Sequence, residues 1–180
     1  MPLSETIDTV SLAGQDFYRY GDDLFPAYLN HGNAMQFIKH VAQRWCAGKG
    51  IDVGADQWPF PGAIPIRNEP GASALKLDSI EDGSLDYVFS SHCLEHLDEP
   101  ADAIALWATK LRTGGVVFLY LPHETMALWR PGAPWVRGGH KWVPTVAKLV
   151  PMLDQAGLDI RDVNYGRDAY WSFHIVGSKP

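Results

Sequence analysis

The sequence predicts an α/β sandwich around a mostly parallel sheet, and three observations carry that expectation. Stretches with helical apolar spacing alternate with short strand-like stretches along the chain. Residues 116–121 (VVFLYL) are almost wholly apolar, the pattern of a strand buried on both faces of a parallel sheet. Ile51-Asp52-Val53-Gly54 reads as a short buried strand that stops at a glycine.

The elements follow in order. Residues 1–48 are expected to form a helical lead-in, because Met35, Ile38, Val41, Ala42 and Trp45 recur at helical spacing and Gly48 stands where a helix would stop. After the 51–54 strand, weaker strands are expected at 63–66 and 74–77, and a stronger one at 85–90 (LDYVFS). Ala101, Ile104, Trp107, Ala108 and Leu111 mark a helix over 100–111 that Gly114-Gly115 would end. Residues 146–156 look helical, with Pro151 expected to kink or divide them. Two closing strands are expected at 159–165 and 170–176, the second with aromatic and β-branched character.

Size and composition fit one domain over 1–180. The chain has 180 residues, 46% of them hydrophobic and 20% charged, which is enough apolar surface for one core and too much for disorder. No apolar run approaches a membrane span, and residues 1–15 lack the basic start and apolar centre of an export signal. Two cysteines, Cys46 and Cys93, cannot form a disulfide framework or a four-cysteine zinc site, so a cytoplasmic setting is the expectation. A net charge of −6 argues against general nucleic-acid binding. The oligomeric state is not legible.

The most specific signal is a block in fixed order: LDYVFSSHCLEHLDEP, then a helix, then LRTGGVVFLYLP. This block resembles the class I S-adenosylmethionine-dependent methyltransferases, and within them the type 11 group. In that family a strand ends in a Ser-Ser-His-x-Leu-Glu-His turn, a helix follows, and a Gly-Gly turn leads into the next strand. The likeness runs over about 50–180 and includes the Gln155-Ala156-Gly157-Leu158 step into the last hairpin. It implies a Rossmann-like methyltransferase sandwich of about seven mostly parallel strands, with the last strand antiparallel. It also implies S-adenosyl-L-methionine as cofactor and transfer of its methyl group to a small-molecule acceptor.

Carried over residue by residue, the family's first motif is Gly50-Ile51-Asp52-Val53-Gly54-Ala55. A glycine at the strand end lets the backbone come close to a ligand, at the strand ends where such sheets bind. Asp52 would orient the loop or meet the cofactor's ammonium, and a plain strand-end turn is the competing reading. Asp78 and Ser79 fall where the family places an acidic residue near the adenine, or else form a turn after a strand. Ser91 and His92 would lie beside the methionine moiety, or cap a short turn.

The chain departs from the pattern twice. Residues 55–62 hold two prolines and leave no room for a crossover helix, so the cofactor half is expected to be abbreviated. The acidic residue expected after the second strand is replaced by Arg67, with Glu69 as a substitute for holding the ribose.

His92-Cys93-Leu94-Glu95-His96 also fits H-x-x-E-H, a zinc-hydrolase pattern. No Asp or Glu occurs between Glu124 and Asp154 to supply an acidic third ligand, so no metal is expected and zinc hydrolysis is a lesser alternative. A methyltransferase-like module that binds without catalysing is the other.

The acceptor side is assigned to a carboxylate-free segment, 125–153, with 125–145 as the acceptor loop. It carries Arg130, Arg137, Lys141 and Lys148 together with Trp129, Trp135 and Trp142. Arg130 and Arg137 would bind an anionic acceptor, while Trp135 and Trp142 would wall it in. His123 and His140 are the general-base candidates. The competing reading is a solvated loop over packed tryptophans.

Overall fold

The chain enters through a three-stranded antiparallel meander of β1 (Asp8–Leu12), β2 (Gln15–Tyr20) and β3 (Asp23–Pro26). It is seen in a computed structural model that describes residues 7–55, 57–67 and 72–180. The meander corrects the helical lead-in expected for 1–48. Its first turn is Ala13-Gly14, both at positive φ (50° and 79°), the backbone that matches the twist of a two-residue hairpin. Phe17, Tyr18 and Tyr20 favour a pleated, half-buried surface over a helix. The helix of this region, α1 (Met35–Ala42), comes only after a 3₁₀ turn at Ala27–His31.

The central sheet holds β4 (Gly50–Val53), β5 (Ile64–Ile66), β8 (Leu85–Ser91), β9 (Leu111–Pro122), β10 (Asp159–Val163) and β11 (Ser172–Ser178). The chain between β5 and β8 contains the short β6 (Ala72–Ser73) and β7 (Lys76–Leu77). The spatial order is β10-β11-β9-β8-β4-β5. The β5–β4, β4–β8 and β8–β9 pairs are parallel, and the last strand, β11, runs antiparallel between β9 and β10. This is the Rossmann-like sandwich with an inverted last strand, built on six strands. The segment expected as one strand at 74–77 instead folds back as the separate β6–β7 hairpin, anchored where Trp107 Nε1 donates to Ala74 O at 2.8 Å.

Period-2 alternation gives the sheet two different faces. Val117, Leu119 and Leu121 of β9, with Phe173 and Ile175 of β11, pack against α2 (Pro100–Lys110) and α3 (Val146–Gln155). Val116, Phe118 and Tyr120 point the other way, toward α1, Phe25 and Leu29. On that second face the expected shortage of helix is visible, since residues 54–63 form only turns and bends among those described. Phe60 fills the space. It is 2% exposed and stacks on Phe89 at 4.6 Å, and Phe89 stacks on Phe118 at 5.6 Å.

Two expectations about breakers change. Gly114-Gly115 does not end α2, which stops at Lys110, with Leu111 already extended and paired with Leu85. The glycines instead form an irregularity at the start of β9, where a Cβ on Gly115 would meet three backbone oxygens at 3.0–3.1 Å. Pro151 does not divide α3. It and Ala147, whose carbonyl it cannot bond, are both exposed, so water can take that hydrogen bond.

Candidate active site

The carboxyl ends of β4 and β8 open into a cleft of about 330 Å³ whose lining includes Asp52, Gly54, Ala55, Ser91, His92 and His140. These are six of the residues proposed from the sequence, brought together from three separate stretches. A second cleft of about 480 Å³ meets the first at Gly54, His92 and His96 and runs on over Ile66, Ala74, Leu75, Cys93 and Leu97. The site therefore has a polar half and a more apolar half, divided at Gly54.

Gly54 has to be glycine here. Its φ is +85°, and a Cβ would stand 2.5 Å from the Cβ and Sγ of Cys93. Asp52 is buried, and its Oδ2 accepts a hydrogen bond from Phe60 N at 2.7 Å. The carboxylate thus ties the helix-free loop to the strand end. Burial raises its pKa to about 6, against the opposing effects of that N–H and of Arg67.

His92 leaves β8 in the left-handed region at φ +50°, a strained position for a side chain of this size, and this turns the imidazole into the cleft. Its ring meets the edges or faces of Tyr120, Trp129 and Tyr170 at 5.1–5.5 Å. Nε2 lies 2.9 Å from Ser172 Oγ, which itself donates to Tyr170 O. The hydroxyl proton being used there, His92 Nε2 must be the donor. Burial lowers the pKa of His92 to about 3, with His140 and His96 adding to the effect.

Beneath His92 lies Glu95, fully buried, with neither carboxyl oxygen hydrogen-bonded. His92 Nδ1 and His140 Nε2 approach its Oε1 at 3.6 and 3.8 Å. Neither contact is an ion pair, since burial pushes Glu95 up to about 8 and takes His140 down to about 4.

The other expected site residues fall elsewhere. His123 faces a different hollow, with Tyr165 and Phe173, because β9 carries it past the cleft. Asp78 is exposed beside Lys76, and Ser79 lies beyond the β6–β7 hairpin rather than in either cleft lining. Glu69 lies outside the described residues. Arg130 is exposed and donates to Glu124 O, and Arg137 is exposed outside both cleft linings. Trp135 packs edge-on to Tyr18 of the meander, and Trp142 donates to Leu94 O on the α3 side.

Three cleft residues carried no usable signal in the sequence. Asn33 has φ +58° and a buried Oδ1 without a partner; Tyr170 arrives from the distant loop before β11, and Trp58 from the helix-free loop after β4. An asparagine beside a glycine reads as a turn, and only the fold shows what it faces.

Residues 66–119 match the family model described as a methyltransferase domain. Solved structures extend the likeness to most of the chain. One is a methyltransferase in complex with the Haloferax volcanii Trm112 methyltransferase activator, at 14% identity and TM-score 0.65 over 86% of this chain and 95% of that one. Another is the Thermotoga maritima protein described as a possible histamine N-methyltransferase, at 13% identity and TM-score 0.63, covering 85% and 92%. A third is an S-adenosylmethionine-dependent methyltransferase from Mesorhizobium loti, at 16% identity and TM-score 0.60, covering 83% and 100%. No curated protein matches by sequence. The fold is that of the class I S-adenosylmethionine-dependent methyltransferases. The segment that matches the family model, 66–119, spans under a third of the chain.

Proposed function

We propose that the protein is an S-adenosylmethionine-dependent methyltransferase acting on a small acceptor in the polar cleft. The observation that carries this reading is the joined pair of clefts at the ends of β4 and β8. The residues fit the cofactor. Asn33 Oδ1, a buried acceptor without a partner, and the Asp52 carboxylate suit an ammonium group, and Gly54 allows close backbone approach. Ile66, Ala74, Leu75 and Leu97 offer an apolar bed for a purine. When bound, the cofactor supplies a methyl group on a sulfonium leaving group. The protein's own part is alignment and exclusion of water: Trp129, Tyr170 and His92 wall the acceptor's side, and Trp58 stands at the rim. Of the 125–145 acceptor loop, Trp129 and His140 line the cleft, so any preference for an anionic acceptor rests on the positive charge of the surrounding segment.

One observation favours a second reading, a domain that binds its ligand without transferring a methyl group. The stretch after Gly54 has no helix among its described residues, and Arg67 follows β5 where an acidic residue is expected. Calorimetric titration with S-adenosylhomocysteine tests both. Binding at micromolar concentration, lost in Asp52→Ala, supports the enzyme. No heat at millimolar ligand rejects it, and binding with no transfer to any phenol, amine or carboxylate acceptor favours the second reading.

A further inference from the structure

We propose that Glu95, His96 and His140 form a binding site for a divalent transition-metal ion at the wall of the polar cleft. One candidate ligand atom from each lies within 4.8 Å of the others, from two stretches of chain 44 residues apart. The sequence discounted a metal for want of an acidic third ligand; the fold supplies a histidine instead, from the loop that returns over the cleft.

Proton accounting makes the case for a ligand. His96 Nδ1 lies 3.0 Å from Gly139 O, and His140 Nδ1 lies 2.6 Å from Trp129 O. A carbonyl only accepts, so both rings carry their proton on Nδ1 and leave Nε2 bare. His92 donates from Nε2, so its Nδ1 is bare and faces Glu95 Oε1. Three imidazoles have thus spent their N–H groups on neighbours, and the carboxyl group they surround has no hydrogen bond on either oxygen. A buried carboxyl without partners costs about 1–3 kcal/mol or more, and one carboxyl proton could satisfy only one of these acceptors. A dication satisfies the ligand set at once. The backbone carbonyls behind His96 and His140 are the second shell that orients metal-bound imidazoles.

Two imidazoles and one carboxylate suit zinc, manganese, cobalt or iron(II) better than magnesium or calcium. Metal–ligand bonds of about 2.0–2.2 Å set donors roughly 3–3.5 Å apart, so small side-chain rotations close the group. His96 and His140 line the cleft, which leaves the open side of the ion toward the acceptor. A hydroxyl or carboxylate oxygen of the acceptor would be the remaining ligand, and a bound hydroxyl would release its proton to solvent more readily. That role rests on the methyltransferase reading; the binding site itself does not.

The test uses the full chain, stripped of metal by a chelator and titrated with zinc, manganese and cobalt chlorides by calorimetry. The visible spectrum of the cobalt form reports the ligand set. We expect one ion per chain, a raised melting temperature, and affinity reduced more than ~100-fold in both His140→Ala and Glu95→Gln. Circular dichroism checks that the variants fold, and Glu95→Gln should melt no lower than the metal-free wild type because it removes a buried acid. Absence of binding up to millimolar ion, or one-to-one binding unchanged in both variants, overturns the site. S-adenosylhomocysteine titration of the same samples separates the two readings. Metal binding without nucleoside binding supports the site and defeats the methyltransferase reading; nucleoside binding without metal does the reverse.

Discussion

Asp52 illustrates how one side chain serves both fold and site. Its carboxylate holds Phe60 N, yet burial keeps its pKa at about 6, above the ordinary 3.8. Arg67 opposes that rise, and the neighbouring Cys46, Cys93 and Tyr87 are all held uncharged by burial. A raised acid holds its proton in the folded state where the unfolded state has released it. The resulting stabilisation is therefore present in acid and is lost as pH rises from about 4 through about 6. Two pKa units correspond to roughly 3 kcal/mol. In denaturant titrations, wild type should lose about that much relative to Asp52→Asn between pH 4 and 7; parallel curves would remove the argument. The same group must be ionised to receive an ammonium, so S-adenosylhomocysteine should bind more weakly below pH 6.

At the scale of elements, the helix-free loop after β4 depends on Phe60. This ring replaces a crossover helix as cover for Phe89 and Tyr87. Phe60→Ala should cost about 3–5 kcal/mol in chemical denaturation and weaken cofactor binding with it. A loss under ~1 kcal/mol would mean that the face collapses without the ring. The 125–145 loop divides by contact rather than by charge. Trp129 touches His92 and Tyr170, whereas Arg137 stands in solvent at φ +43°. Trp129→Ala should reduce kcat/KM for the acceptor about tenfold, equivalent to about 1.4 kcal/mol. Arg137→Glu should change it less than ~2-fold. The reverse ranking in steady-state kinetics would return the acceptor to the arginines.

For the whole molecule, ligand binding and stability are linked, because both clefts join β4, β8 and the loops over them. Saturation with S-adenosylhomocysteine at a hundredfold excess over Kd should add about 2.7 kcal/mol. For a chain of this length that is roughly 5–11 °C in Tm by scanning calorimetry. An unchanged Tm at millimolar ligand would count against the cofactor assignment.

Much of this was written in local pattern. The strands at 50–53 and 85–91 and the 116–121 part of β9 follow from apolar runs and glycines, whereas the 111–115 start of β9 was read as helix and its stop. Asp52, Gly54, Ser91 and His92 were picked out because each lies at the end of such a strand. A strand end is a local feature, and the sheet's geometry makes it a binding position. The meander was not read from the sequence, where the helical spacing of 35–45 was extended over the whole of 1–48; its turns at Gly14 and Gly21 and the aromatics between them are seen in the structure. Which residues of a long loop turn inward was not legible at all. His140 and His123 look alike as lone histidines, as do Trp129 and Trp142 as loop tryptophans. The carbonyl of Trp129, the burial of Glu95 and the return of the loop over the cleft decide between them. By itself the sequence determined the α/β order, the strand ends that open into the cleft and the missing helix, because periodicity and chain breakers act over a few residues. Only the tertiary structure decided that Glu95 and His140, both buried, come together with the exposed His96 beside the cleft, because that depends on long-range packing and on which polar groups are left unpaired.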